Sequence, residues 1–382
     1  MRLGVALAAR LQAIWWRPAP TTLAWLLAPL GALVARVAAA RRVQARRTQA
    51  RARVPVIVVG NVIVGGAGKT PTVIDLVMHL RAWGLRPGVV SRGHGRRDAA
   101  PRLLVATPLQ PGDAATSGDE PALLHRRTGV PVSVAVGRDA ALARLLEACP
   151  DVDVVVSDDG LQHHALPRNI EIVVFDGRGI GNGRVLPSGP LRERLDDLWP
   201  STGRPQGALG FDDAGVLRYA LLNGPWPAPP ALPWSRRAPR PALARRALAG
   251  AVELARWSVG EAPTLEALHA LRGRRVLAVA GIGEPERFFA MLADAGLDID
   301  RLPLPDHAPF DPLPWPSTMG DVLVTEKDAV KLVGRVSSPA RVWVVALDFR
   351  LPDDLLAELR DALRAAGGWP RAAVPSSDDS SK

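Results

Sequence analysis

The sequence predicts an α/β protein with a mainly parallel sheet core, a second, smaller α/β domain and a basic amphipathic N-terminal segment. Three observations lead to this class. From residue 54 onward, short apolar runs alternate with helical stretches, which is the pattern of parallel strands joined by crossover helices. A glycine-rich turn joins the first of these strands to a helix. The excess positive charge of the chain is confined to its N-terminus.

Length and composition indicate a globular protein. The 382 residues suffice for two domains, and a chain that is 47% hydrophobic and 23% charged is not of the disordered class. Cys149 is the single cysteine, which excludes an intrachain disulfide framework and any CxxC metal or redox site. This cysteine usage is typical of a reducing compartment.

The net charge of +10 comes from the N-terminal segment. Eleven of the 48 basic residues precede Asp75, the first acidic residue, so the rest of the chain carries 37 basic and 38 acidic residues. A nucleic-acid-binding fold usually distributes its basic residues over one face of the core. The concentration at the N-terminus favours a surface anchor instead.

The N-terminal segment is apolar from Leu23 to Ala35 but is interrupted by Pro29 and ends at Arg36. This run is shorter than the roughly 20 residues that span a bilayer, and no signal-peptide cleavage site follows it. We expect a peripheral anchor on the cytoplasmic leaflet rather than a helix that only packs on the core with a solvated arginine flank. Trp15, Trp16 and Trp25 are predicted to be the aromatics of an interfacial helix. The residues predicted to face anionic headgroups are Arg36, Arg41, Arg42, Arg46, Arg47, Arg51 and Arg53.

The apolar runs divide the rest of the chain into segments. We predict a membrane-contacting segment over 1–50, an α/β core containing the glycine-rich turn over 51–215, a linker or irregular insertion over 216–270, a smaller α/β domain over 271–368 and a disordered tail over 369–382. The predicted core strands are 54–59, 88–91, 102–106, 131–136, 152–157 and 170–175, with helices over 70–83 and 139–148. The second domain has predicted strands at 275–280, 321–325 and 341–347 and helices over 284–295 and 353–366.

The glycine-rich turn follows the strand over 54–59 and reads GNVIVGGAGKTP. The backbone N–H groups of Gly65, Gly66, Ala67 and Gly68 can converge on phosphate oxygens at the start of the next helix. Lys69 is predicted to neutralise the β- and γ-phosphates and Thr70 to ligate Mg²⁺. Ile63 stands where such a phosphate-binding loop usually has its first glycine. We expect this residue to change the path into the loop, and not the amides that face phosphate.

A second motif follows the strand over 152–157, where Asp158 and Asp159 begin the segment DDGLQH. An apolar strand that ends in an aspartate places a carboxylate beside a phosphate-binding loop, where it can hold Mg²⁺ directly or through water. Further polar loops could lie above the same sheet edge. They are SRGHG (91–95), GDEP (118–121), GNGR (181–184) and LPSGPLRE (186–193). His94, His163 and His164, taken singly, are more typical of structural histidines.

Together these motifs resemble the tetraacyldisaccharide 4′-kinase family, the lipid A 4′-kinases of Gram-negative bacteria. The resemblance extends from the glycine loop, through GIGEPERFF (281–289), to the segment TEKDAVKL (325–332). The loop of this family has the form VGGxGKTP, preceded here by Ile63 and including Val64, so the missing first glycine is normal for it. In a later segment the chain reads Asp306-His307-Ala308, where a second histidine is common in the family.

The resemblance implies a P-loop NTPase-like core and transfer of the ATP γ-phosphate to the 4′-hydroxyl of a lipid A disaccharide 1-phosphate at the cytoplasmic face of the inner membrane. It implies ATP and Mg²⁺ as cofactors. Asp119 is expected to act on the acceptor hydroxyl, with His307 tuning it. Asp158, Asp159 and Glu193 are expected at the metal or among the active-site carboxylates, and Arg192 is expected to face phosphate.

Two other classes share some of these features. A P-loop ATPase or GTPase switch, or a membrane-recruited partitioning ATPase, would also combine a phosphate-binding loop with a basic anchor. Thr325-Glu326-Lys327-Asp328 superficially resembles the guanine-specifying segment of GTPases but lacks its spacing, and the second early lysine of partitioning ATPases is absent. The sequence therefore favours the kinase.

Overall fold

The computed structural model describes residues 11–48, 52–96, 99–105, 109–199, 210–211, 216–224, 241–335 and 340–366. The predicted disordered tail, most of the proline-rich stretch after residue 224, Arg51, and the side chains of Arg46 and Arg47 lie outside this description.

Strands β1 to β13 belong to one continuous sheet. Their bounds are β1 Val56–Gly60, β2 Pro87–Ser91, β3 Arg102–Leu104, β4 Val132–Val134, β5 Val154–Asp158, β6 Ile170–Asp176, β7 Gly210–Phe211, β8 Leu217–Asn223, β9 Ala242–Glu253, β10 Arg275–Ala280, β11 Asp298–Pro303, β12 Asp321–Thr325 and β13 Arg341–Arg350. The order is β11-β10-β12-β13-β9-β8-β6-β1-β5-β2-β4-β3, with β7 paired to β8. The predicted core and the predicted second domain thus contribute strands to the same sheet.

Helices cover the strands and follow most of the predicted bounds to within one or two residues. They are α1 Thr22–Leu26, α2 Ala28–Thr48, α3 Lys69–Ala82, α4 Asp113–Ser117, α5 Asp119–Thr128, α6 Arg138–Ala148, α7 Leu195–Leu198, α8 Leu254–Ser258, α9 Leu265–His269, α10 Pro285–Asp294, α11 Glu326–Ala329 and α12 Asp353–Ala365. Pro285 occupies the first turn of α10, where its missing N–H has no helical partner to lose.

The centre of the core sheet is parallel and fully buried. β1 lies between β5 and β6, with Val59 opposite both Asp158 and Ile172. Every residue of β1, β5 and β6 is buried, as expected of strands covered by helices on both faces. Because these strands run in the same direction, the loop after β1 and the aspartates at the end of β5 lie at one edge of the sheet.

The second domain continues this sheet instead of forming a separate layer. β8 pairs in parallel with β9, which then pairs antiparallel with β13 along most of its length. The range 216–270, predicted to be a linker or irregular insertion, therefore contains strands β8 and β9 and helices α8 and α9. The prediction of irregular structure is therefore wrong for the described residues 217–223 and 242–253, which form strands whose partners are distant in sequence; residues 225–240 lie outside the described residues.

The N-terminal helices pack on the loop that follows β6. The Trp15 indole N–H donates to the Pro187 carbonyl, and the Ser188 hydroxyl donates to the Ala24 carbonyl. Arg184 lies over the Trp25 ring, 3.6 Å from its centroid. Arg42, predicted to meet headgroups, is buried and pairs with Glu193. That prediction is wrong for Arg42, because the helix turns this side chain inward toward a buried carboxylate.

The outer side of the same helices is apolar and exposed. Its large exposed side chains are Leu23, Trp25, Leu26, Leu30, Leu33, Val37 and Val43. Arg36 and Arg41 are exposed on α2. Among the residues that the structure describes, no helix has the length and apolar character needed to cross a membrane.

Glu171 on β6 forms the centre of a buried ion cluster. Its carboxylate accepts from Arg168 at 2.6 Å and from Arg218 on β8, and these three side chains are at most 6% exposed. Burial raises the pKa of Glu171, but the two guanidinium groups outweigh it and lower the pKa to about 2. The cluster joins β6 to β8 and so fastens the core to the strand that leads into the second domain.

We predict that Glu171→Gln lowers the free energy of unfolding by about 3–5 kcal/mol, because it leaves two buried guanidinium groups without a counter-charge. The lowered folded-state pKa means that this stability is present above the ordinary glutamate pKa and is lost as the pH falls toward 2. Urea denaturation at several pH values measures both effects. The exposed Glu147→Gln is the matched control, and a loss equal to that of the control would contradict the prediction.

Candidate active site

The glycine-rich turn forms a cradle between β1 and α3. Gly65 has φ +90° and Gly68 has φ +82°, in the left-handed region that favours glycine. Gly68 is also crowded, since a Cβ there would lie 1.4 Å from the Asn223 side-chain nitrogen. Both glycines are therefore required by the backbone path of the loop.

Side chains from three strand ends hold three consecutive carbonyls of this loop. Asn61 donates to Gly65 O at 3.0 Å, Arg178 donates to Gly66 O at 3.0 Å and Asn223 donates to Ala67 O at 2.9 Å. A peptide N–H points opposite to the carbonyl of the preceding residue. The N–H groups of Gly66, Ala67 and Gly68 therefore point away from these donors, and the three residues line a cavity of about 420 Å³. This arrangement suits an anion at a helix N-terminus.

Lys69 and Thr70 begin α3 and line the same cavity. The Lys69 ammonium group lies 3.2 Å from Asn61 Oδ1 and 3.5 Å from Asp159 Oδ1. Ile63 and Val64 contribute differently from the rest of the loop. The Ile63 side chain is fully buried, and the Val64 N–H donates to Pro190 O. These two residues anchor the loop to the core, and Val64 N–H is not directed at a ligand.

The aspartates at the end of β5 have contrasting surroundings. Asp158 is buried, and within the described chain neither of its carboxylate oxygens has a hydrogen-bond partner. Burial, with Glu120 and Asp159 nearby, raises the pKa of Asp158 to about 7. Asp159 lies 3.5 Å from both Lys69 and Arg192; burial raises its pKa, but these cations outweigh it and lower the pKa. Of these two aspartates, Asp158 is thus the one with a raised pKa.

The predicted carboxylate set is not brought together around one point. Glu193 accepts from Gln162 at 3.0 Å and pairs with Arg42, so both of its oxygens already have protein partners. In the part of the chain that the structure describes, no three His, Cys, Asp or Glu side chains are placed to hold a metal ion. Arg192 lies near the loop, with its guanidinium donating to Gln162 Oε1 at 3.1 Å. Of these three described carboxylates, Asp158 is the one with both oxygens lacking a hydrogen-bond partner, and the metal roles of Asp158, Asp159, Glu193 and Thr70 stay a prediction.

Asp119 and His307 are in direct contact across the two domains. His307 Nδ1 lies 3.1 Å from Oδ1 and 2.9 Å from Oδ2 of Asp119. Asp119 is in the first turn of α5, a position that favours a carboxylate. His307 has φ +62°, and its backbone N–H donates to Gly281 O. Asp119 and His307, which are 188 residues apart in the sequence, therefore form one hydrogen-bonded pair.

The charges around this pair separate the two pKa values. Burial raises the pKa of Asp119, but the hydrogen bond from His307 and the charges of Lys327 and Lys331 outweigh it and lower the pKa to about 2. The same hydrogen bond raises the pKa of His307, against the effects of burial and of Lys327. Asp119 is thus an anion at neutral pH, whereas the pKa of His307 lies above its ordinary value.

Several residues at the site were not singled out by the sequence. Lys327 and Lys331 contact the acidic residues around the pair. His94, expected to be a structural histidine, has its ring 4.9 Å from the His307 ring. The segment TEKDAVKL (325–332) was the available signal for these two lysines, and the helix that follows β12 ends at Ala329, before Lys331. Asn61 and Asn223 each end a strand beside the glycine loop, but only the fold brings their side chains to the loop carbonyls.

Comparisons with known proteins agree with the motifs. A family model described as tetraacyldisaccharide-1-P 4′-kinase matches residues 23–201 and 236–364. A tetraacyldisaccharide 4′-kinase of Methylibium petroleiphilum is 48% identical over 356 residues, covering 91% of this chain and 92% of that protein. A protein of the same name from Leptothrix cholodnii is 46% identical over 366 residues, covering 94% and 97%.

The fold also has a solved counterpart. The crystal structure of LpxK from Aquifex aeolicus in complex with ATP gives a TM-score of 0.68, covering 90% of this chain and 99% of that chain. The two sequences are 23% identical. The similarity supports the architecture of a phosphate-binding core continued into a second domain.

Proposed function

The chain belongs to the tetraacyldisaccharide-1-phosphate 4′-kinase family, and from this premise we propose how its residues carry out the reaction. It is an ATP-dependent kinase of lipid A biosynthesis that phosphorylates the 4′-hydroxyl of a tetraacylated glucosamine disaccharide 1-phosphate. The observation that carries the proposed mechanism is the contact between Asp119 and His307 beside the phosphate-binding loop.

We assign proton acceptance to His307 and its orientation to Asp119. A carboxylate with a pKa of about 2 is a weak base, and both Asp119 oxygens already face the ring. The Nδ1–H of His307 donates to this carboxylate, which leaves Nε2 as the unprotonated nitrogen of the neutral ring. The proton of the acceptor hydroxyl therefore moves to Nε2. This exchanges the two roles that the family resemblance implied.

The phosphate-binding loop holds the nucleotide for this step. The amides of Gly66, Ala67 and Gly68 and the ammonium group of Lys69 bind the phosphates of ATP, which aligns the γ-phosphate with the acceptor oxygen. Asp158 and Thr70 are the residues that would hold Mg²⁺. When bound, the ion would neutralise charge on the phosphate oxygens. The loop of the second domain at Gly283 lies against Gly66, so both domains border the nucleotide cavity.

The exposed apolar side of α1 and α2 is proposed to lie on the membrane surface. Leu26, Leu30 and Leu33 project from these helices, and the exposed Arg36 and Arg41 would meet anionic headgroups. This position suits an acceptor whose acyl chains remain in the membrane. We propose the cytoplasmic face of the inner membrane as the site of action.

Direct transfer tests the function. Purified protein with γ-labelled ATP, Mg²⁺ and the acceptor in detergent micelles should give a lipid product labelled at the 4′ position. Lys69→Ala should lower turnover by about 10²–10³-fold, because it removes a charge that stabilises the transition state. Absence of a labelled product from the wild-type protein would contradict the function, and full turnover by Lys69→Ala would contradict the nucleotide site.

The proposed base predicts how activity depends on pH. The groups that face His307 are Asp119, Asp306, Lys327 and the His94 ring. Because Asp119 raises the pKa of His307, kcat should fall as the pH drops through a value above 6.5. Asp119→Asn should lower kcat and move this acidic limb of the pH profile to lower pH. An acidic limb unchanged in Asp119→Asn would contradict the assignment.

The kcat of the double variant Asp119→Ala with His307→Ala should be little lower than that of the poorer single variant, because the two residues act as one unit.

Membrane contact is tested with three substitutions on the outer side of α1 and α2. Leu26→Gln, Leu30→Gln and Leu33→Gln together should weaken binding to phosphatidylglycerol-containing vesicles by about tenfold or more, and added salt should weaken binding of the wild-type protein. The control replaces Val259 and Leu265, which are exposed on the second domain. Equal vesicle binding by the triple variant and the wild type would contradict the proposed surface.

A further inference from the structure

Lys327 lies at the junction of the two domains, next to the reacting nitrogen of His307. It belongs to α11, whose start is fixed by Thr325, because the Thr325 hydroxyl accepts from the Asp328 N–H. The Lys327 ammonium group lies 2.9 Å from Glu120 Oε1, 3.1 Å from Asp306 Oδ1 and 3.5 Å from His307 Nε2. It is the nitrogen Nε2 that receives the acceptor proton in the proposed reaction.

The two lysines of this segment face different cavities. Lys327 lines the cavity of about 420 Å³ that also contains the phosphate-binding loop. Lys331, which lies 3.5 Å from Asp119 Oδ2, lines a second cavity of about 220 Å³ together with Asp119 and His307. The γ-phosphate starts in the first cavity and ends on an oxygen that is hydrogen-bonded to Nε2. Its path therefore passes beside the Lys327 ammonium group.

The surroundings of Lys327 keep it charged and leave it able to change partners. Its side chain is 15% exposed. Burial would lower the pKa of Lys327, but Glu120, Asp119 and Asp306 outweigh this effect and raise the pKa. An ammonium group on a four-carbon chain is a mobile point charge with three donors. It can keep one carboxylate as a partner while it donates to a phosphoryl oxygen.

We propose that Lys327 is a catalytic residue of the second domain, whose ammonium group binds the γ-phosphoryl oxygens during transfer. This proposal rests on the function proposed above. The bond from the γ-phosphorus to the β–γ bridging oxygen breaks, and a bond from that phosphorus to the acceptor oxygen forms. The hydroxyl proton moves to His307 Nε2, and ADP leaves with the bridging oxygen. Lys327 donates hydrogen bonds throughout and keeps its own protons.

The competing account is that Lys327 only forms an ion pair with Glu120 that holds the two domains together, which we call a tie. Arg127 and Glu326 already form such a tie between α5 and α11, at 2.7 Å. A tie acts equally on every bound nucleotide, whereas a contact to the γ-phosphate acts on ATP and not on ADP. Nucleotide selectivity therefore separates the two accounts.

The test compares Lys327→Met with the wild type by calorimetric titration of ADP and of β,γ-methylene ATP, with Mg²⁺ and without acceptor. Lys327→Met should bind ADP within about threefold of the wild type and bind the ATP analogue about tenfold more weakly. Its kcat for transfer should fall by about 10²–10³-fold. Equal weakening of both nucleotides, or no weakening of either, would overturn the proposal.

Glu120→Gln is the matched variant, because it removes the charge of the tie and keeps the ammonium group. We expect its affinity for the analogue and its kcat to stay within about threefold of the wild type. If Lys327→Met does not fold, as judged by loss of its circular-dichroism spectrum and thermal unfolding transition, Glu120→Gln decides alone. A loss of transfer in Glu120→Gln then supports the tie and overturns the proposal. Failure of wild-type transfer would refute the function, while the binding comparison would still test Lys327.

Discussion

The active site depends on the contact between Asp119 and His307, because it joins groups that neither domain can provide alone. Asp119 begins a helix of the core, and His307 is held in a left-handed backbone conformation by the second domain. The carboxylate fixes the ring through Nδ1, and this directs Nε2 toward the region between the two cavities. An aligned base matters here because phosphoryl transfer relies mainly on position and charge.

The continuous sheet holds Asp119 and His307 in this alignment. Since β8 pairs with β9, the core and the second domain share one hydrogen-bonded framework rather than a flexible connection. Asn61, Arg178 and Asn223, which hold the carbonyls of the phosphate-binding loop, follow or end strands of that framework. Arg178 also pairs with Glu284 of the second domain and lies over the Trp16 ring. Arg178 thus contacts the phosphate-binding loop, the second domain and the N-terminal Trp16.

Much of this architecture could be predicted from local sequence signals. The glycine loop, the aspartate strand and strands β10 and β12 depend on residues close together in the chain, and apolar periodicity identifies them. β9 was hidden because its pairing with β8 and β13 is non-local, and proline-rich sequence precedes it. Glu193 was expected near the metal, but a distant helix supplies Arg42 as its partner. The roles of Asp119 and His307 depend on which atoms meet, and only the three-dimensional structure gives that.

The central claim is that His307 is the base and that Asp119 sets its tautomer and its pKa. Nitrogen-15 NMR of the protein labelled at its histidines, with the His307 signal assigned from a His307→Gln spectrum, measures both properties directly. The account predicts a neutral ring protonated at Nδ1 and a pKa above 6.5. A ring protonated at Nε2, or a pKa at or below 6.5, would contradict it.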